Sequence, residues 1–182
     1  MLAWQSSAQR AVLTVLFAVG ISSSLSSSAT AQDQQPSSPV IGIVKEVVLD
    51  PTTYAPAVIA YDATMRDWNT SQPFFRNGYM ELNPRFTISG LPNDVPLSYA
   101  AGNRRILSDA FGNLGLSLVN NFTDRVFEHK LMERYPRHRK IVRAVGWIER
   151  LSFSGYMSYV LSAAHFRQAQ ANASEARALG LQ

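Results

Sequence analysis

Proline and glycine divide this chain more sharply than any other feature. Between residues 69 and 102 the sequence carries Pro73, Gly78, Pro84, Gly90, Pro92, Pro96 and Gly102, whereas from 104 to 171 it carries one proline, Pro136. Proline has no backbone N–H to give and pushes the residue before it out of helical geometry. The first stretch therefore predicts an irregular middle segment without a long element. The second predicts two long elements that meet at Tyr135-Pro136.

Both long elements read as helices. Leu107, Phe111, Leu114, Leu118, Phe122 and Val126 recur at three- and four-residue steps, with Asn113, Asn120, Asn121, Asp124 and Arg125 elsewhere on the cylinder. The spacing predicts a helix over 104–133. A second helix follows over 139–171, with Ile141, Val145, Ile148, Ser152, Tyr156, Tyr159 and Ala163 along one side. Joined around Pro136, the two form a long antiparallel hairpin.

Upstream, helical spacing begins at Pro56. Ala57, Tyr61, Thr64, Met65 and Trp68 share one face, and Asp62 precedes Arg66 by four residues, the favourable order for a helical ion pair. Residues 40–49 are rich in β-branched side chains, which favours a strand, yet Ser38 before Pro39 is a good helix start; helix and strand both stay open there. Within the middle segment Phe74, Phe75, Tyr79 and Phe86 can tie an otherwise long loop to the helices, and residues 85–89 can pair as a short strand. The expected fold is thus mostly α: the hairpin, one or two shorter helices before it, and the irregular aromatic segment between. It forms a single helical domain over 39–171, with a frayed tail over 172–182.

The N-terminus reads as a secretory signal peptide over 1–31. Arg10 is its only charge; an apolar run over 11–21, a serine-rich stretch over 22–28 and Ala29-Thr30-Ala31 follow. That apolar run spans only about 16 Å as a helix, against the ~20 residues needed to cross a bilayer. Residues 32–38 read as a flexible leader. The protein is expected to be exported, periplasmic or peripherally attached to a membrane. Asn69, Asn121 and Asn172 open N-x-Ser/Thr triplets, which matter only in a eukaryotic secretory pathway.

The 182 residues include no cysteine, which excludes a disulfide scaffold, a thiol enzyme and a thiolate metal site. The longest charge-free stretches of the mature chain, 151–166 and 110–123, fall short of a membrane span. His129, His138 and His165 form no His-x-x-x-His pair, so no metal is expected, and no nucleophile elbow, phosphate loop or dinucleotide fingerprint points to a cofactor. The most visible charge is basic: Arg134, Arg137, Arg139, Lys140 and Arg143 crowd the hairpin turn and suit an anionic surface. Nucleic acid is not expected as a partner, given the export signal and the absence of a binding motif. Glu81-Leu82-Asn83-Pro84 lies in the constrained segment. With Asp62, and Asp67 beside it, Glu81 offers an acid/base pair in principle.

Asp62 and Thr64 on one helix, Glu81-Leu82-Asn83-Pro84, the Arg137-His138-Arg139-Lys140 turn and the late His165 together resemble a group of small uncharacterised bacterial helical proteins, many of them membrane-embedded. That resemblance implies a three- or four-helix architecture and a buried polar network of Asp62, Glu81, Asn83 and His165; it implies no activity. Arg143, Glu149 and Arg150 inside the last helix depart from the membrane-embedded pattern. The function expected is a structural or interaction module of the cell envelope, with a membrane surface or an envelope protein as partner. The alternatives are a membrane protein with an intramembrane polar site and a carboxylate-based hydrolase.

Overall fold

A computed structural model describes residues 39–181. The signal segment 1–31 and the leader 32–38 lie outside the described residues. Four α-helices make up the architecture, with no strand among the described residues: α1 (Pro39–Leu49), α2 (Ala55–Arg76), α3 (Tyr99–Arg134) and α4 (Arg139–Ala178). Short 3-10 turns sit at Pro51–Thr53, Pro84–Phe86 and Pro136–His138.

The open choice at 40–49 falls to helix. In a helix Ile43 and Val47 are four apart and both are buried, while Lys45 points elsewhere. A strand would place Lys45 on their face. Asp50 then caps the following turn, its carboxylate accepting the Thr52 N–H at 3.0 Å, and the chain continues into α2.

Helix α3 runs back along α1 and α2. Near its start Tyr99 donates to Asn69 at 2.9 Å, and farther on Asn121 donates to the Thr52 and Thr53 hydroxyls at 3.0 and 2.8 Å. Helix α4 returns parallel to α2, because Arg150 meets Asp50 near the start of α2 while His165 and Asn172 meet Asp67 farther along it. The hairpin of α3 and α4 is present, and α4 packs more extensively on α2 than on its hairpin partner. Ala57, Ala60 and Ala63 on α2 are buried and short enough for close approach of the neighbouring helices.

Helix α3 begins at Tyr99, not at 104, with Ser98 as its cap accepting the Ala101 N–H, and three further features differ from the sequence reading. Helix α2 extends to Arg76 with Pro73 inside it. Pro73 removes one backbone bond, but the turn before it is reinforced by side chains: Thr70 and Ser71 donate to the Asp67 carbonyl and Gln72 donates to the Trp68 carbonyl. The helix stops at Gly78, whose φ of +83° suits glycine, with the N–H groups of Gly78 and Tyr79 closing on the carbonyls of Phe75 and Phe74. Second, the strand predicted at 85–89 is instead the 3-10 turn Pro84–Phe86, followed by an isolated bridge from Thr87 to Pro96. Asn83 caps that turn by accepting the Arg85 N–H at 3.1 Å. Third, the tail expected to fray from 172 is helical to Ala178. Asn172 and Ala176 are buried, and Gly180 at φ +66° closes the helix with the N–H of Leu181 on the Ala176 carbonyl.

The apolar core is small and lies where the middle segment meets α2 and α3. Trp68, Phe86 and Ile106 form it, with Met65, Phe75 and Leu97 against them. The rings of Trp68 and Phe86 stack with centroids 5.3 Å apart. Gly102 is required there, since a Cβ on it would fall inside the Trp68 indole.

Elsewhere α4, and the first turns of α3, face the other way from what their apolar stripes predict. On α4 the inward positions include Gly146, Arg150, Ser154, Ser162, Ala169, Asn172 and Ala176, whereas Ile141, Val145, Ile148, Tyr156 and Tyr159 are exposed. On α3, Ser117, Asn121 and Glu128 are buried while Leu107 and Phe111 are exposed. The predicted stripe of α4 points outward, while that of α3 is exposed only at Leu107 and Phe111 and half-buried at Leu114, Leu118, Phe122 and Val126.

Candidate functional site

A cleft of about 460 Å³ opens between α2, the middle segment and the last third of α4. Its polar wall is built from two helices with matching spacing. On α2, Asp67 and Ser71 are four residues apart; on α4, His165, Gln168 and Asn172 follow at steps of three and four, so each set lies on one face. The Asp67 carboxylate meets His165 Nδ1 at 2.8 Å through Oδ2 and accepts from Asn172 Nδ2 at 3.2 Å through Oδ1. Asn172 also donates to the Ser71 hydroxyl at 2.9 Å, and Gln168 donates to Asn172 Oδ1 at 2.8 Å.

Glu81 enters from the middle segment. It is held by its backbone bonds to Asp94 at 2.9 and 3.1 Å, and its Oε1 accepts the Asn83 N–H at 2.7 Å. Burial pushes the Glu81 carboxyl above its ordinary value against the opposing bond from Asn83, and the nearby Asp67 charge adds to the rise. Phe74 and Tyr79, in an edge-to-face pair with centroids 5.5 Å apart, line the cleft with Trp68 and Phe75.

Of the four residues the resemblance grouped, Glu81, Asn83 and His165 converge here. Asp62 does not: its carboxylate pairs with Arg66 at 2.8 Å, half exposed, away from the cleft lining. Asp62 and Asp67 are five residues apart, about 500° around the helix, so they cannot share a face with the same neighbour. Asp67 takes the place given to Asp62, and an acid/base pair of Asp62 with Glu81 loses its geometric basis. Asn172, read only as the head of an N-x-Ser triplet, is a buried member of this network. Its spacing from His165 was the signal available for it.

A second polar cluster fills the interior near the start of α2, and no sequence motif announced it. Arg150 is 1% exposed. Its guanidinium pairs with Asp124, with Glu128 at 2.8 Å and with Asp50 at 3.2 Å. Arg125 pairs with Asp50 at 3.0 Å and lies 3.4 Å from Glu46. Burial alone would raise the Asp50 carboxyl, but hydrogen bonds from Thr52 and Arg125 outweigh it and hold Asp50 below its ordinary value. Glu149, on the outer rim, is pushed up to about 7 by the neighbouring Asp124 carboxylate and by some burial. Asp50, Asp124 and Glu128 are each paired with Arg150, and among the described residues no acidic or histidine cluster suits a metal ion.

The hairpin turn is the third feature. Arg134, Arg137, Arg139, Lys140 and Arg143 are all exposed, and none enters an ion pair with another described residue. Exposed apolar groups surround them: Leu131, Tyr135, Ile141, Val145, Trp147 and Ile148. No helix among the described residues is long and apolar enough to cross a membrane.

The chain matches no family model, no curated protein and no solved structure.

Proposed function

We propose that this protein is an interaction module of the cell envelope that sits on an anionic membrane surface through its hairpin turn. The observation that carries the reading is the combination, at one end of the bundle, of exposed apolar side chains with five exposed basic ones that have no carboxylate partner among the described residues. Arginine and lysine approach lipid phosphates, each contributing about 1 kcal/mol near a charged surface. Trp147 and Tyr135 belong to the residue types that settle at the level of the headgroups, and Ile141, Val145 and Ile148 form a stripe that reaches shallowly below them. The signal-peptide pattern at 1–31 supports a location where such a surface is met.

Attachment of this kind is peripheral. It agrees with the charges inside α4 and with the absence of a span among the described helices. Flotation with vesicles tests it. The protein is expected to float with phosphatidylglycerol-containing vesicles, to stay behind with pure phosphatidylcholine, and to be released as salt rises. Neutralising three cations together, Arg137→Gln, Arg139→Gln and Lys140→Gln, is expected to weaken vesicle binding roughly 100-fold, from about 1 kcal/mol each. Equal flotation of the wild type and the triple variant would overturn the reading.

A further inference from the structure

The cleft between α2 and α4 is independent of the hairpin turn. His165 is 22 residues beyond Arg143 on the same helix, about 33 Å along its axis. With a volume of about 460 Å³ it falls in the range of small-ligand sites. Its lining contains no lysine or arginine, so an anionic ligand would meet only Asp67, Glu81 and Glu175 with no cation but a protonated His165 to receive it.

The carboxylates divide the work. Asp67 has a partner on each oxygen, His165 on one and Asn172 on the other, and so belongs to the wall. Glu81 has no side-chain partner: it accepts the Asn83 N–H, and no cationic side chain pairs with it among the described residues. A half-buried carboxylate without a countercharge is costly, and a cation placed beside it removes that cost. The aromatic groups lining the cleft supply the rest. Phe74 and Tyr79 stand edge to face, which gives a cation π surface, and Phe75 leans on Trp68 beside them. A metal ion does not fit this lining, because the acidic and histidine groups do not gather in a ligating set. An ammonium group on an apolar body uses both the carboxylate and the rings.

We propose that this cleft binds an organic cation, an alkylammonium or quaternary ammonium whose charge lies against Glu81 and whose carbon framework lies among Phe74, Phe75 and Tyr79. The test uses two probes of nearly equal shape: choline, which is charged, and its neutral carbon isostere 3,3-dimethylbutan-1-ol. Each is titrated into the purified protein and followed by NMR shifts of the Trp68 indole N–H and of the His165 ring. Choline is expected to bind at least tenfold tighter than the isostere. Glu81→Gln keeps the size and a hydrogen-bonding oxygen, and is expected to weaken choline roughly tenfold while leaving the isostere unchanged. Should Glu81→Gln fail to fold, Tyr79→Leu at a half-exposed position gives the second reading, with choline weakened severalfold and the isostere not. Equal affinity for the two probes, no binding of choline, or choline binding unaffected by both variants would overturn the proposal. None of these outcomes bears on vesicle binding, which tests the hairpin turn alone.

Discussion

The two ends of α2 are held by opposite physics. Toward its C-terminal end the face that carries Trp68 is buried against Phe86 and Ile106 in a mainly apolar contact, with Gly102 cut back to admit the indole, while Asp67 and Ser71 hold the polar wall of the cleft beside it. Just before its start, Asp50 belongs to a charged interior in which Arg150 is buried among three carboxylates. The apolar contact gains free energy simply by leaving water. The charged one must first offset the desolvation of every member, so its net contribution is small while the cost of disturbing it is large. The difference predicts that the aromatic end supplies stability and the charged end fixes which faces of α3 and α4 turn inward.

That contrast can be broken most severely at Arg150. Arg150→Met leaves Asp50, Asp124 and Glu128 buried with reduced compensation and is expected to cost about 3–5 kcal/mol in urea unfolding. Combining it with Asp124→Leu and Glu128→Leu, which leaves Asp50 paired with Arg125, should restore part of the loss, because apolar replacement of buried ion partners together is often neutral; a triple variant no more stable than the single one would contradict this picture. Trp68→Ala is expected to cost a comparable amount, about 3–5 kcal/mol, by leaving a cavity, and no partner change should restore it. Gly102→Ala acts on the same contact from the other side. Its methyl group collides with the indole, for an expected loss of about 1–3 kcal/mol and a lowered Tm.

The smallest effect is in pH. Asp50 has its folded value below the ordinary 3.8, so its contribution is present above that value and is lost as pH falls through the depressed one. Glu149 runs the other way. Its folded value of about 7 lies above the ordinary 4.5, so its contribution is complete below 4.5 and is lost as pH rises through about 7. Between those limits the folded protein holds a proton that the unfolded chain has released. Thermal melts across this window should show wild-type stability declining with pH relative to Glu149→Gln, by a small amount because Glu149 is solvent-exposed. Parallel curves would remove the raised Glu149 carboxyl from the account.

Local chemistry made much of this fold legible. Pro136 marked the hairpin turn, the three- and four-residue spacing marked α3 and α4, and Glu81-Leu82-Asn83-Pro84 marked a constrained element that does carry its glutamate into the cleft. What periodicity could not supply was which side of each helix is inside. Apolar stripes normally face the core, but here Arg150 and Glu128 are mutually satisfied across α3 and α4, and that pairing turns Ile141, Val145 and Ile148 outward. A contact between residues 22 positions apart leaves no trace in either helix's own pattern. The same reason hid Asp67 behind Asp62: both are aspartates on α2, and only the position of His165 on α4 distinguishes them.

The outward apolar stripe and the basic turn together carry the functional proposal, and fractionation of cells that express the protein tests it most directly. Membranes are washed first with high salt and then with alkaline carbonate, and the protein is followed through each supernatant. Peripheral seating on an anionic surface predicts that the protein sediments with membranes and leaves them in the salt wash. Recovery in the soluble fraction before any wash, or retention after carbonate, would contradict it.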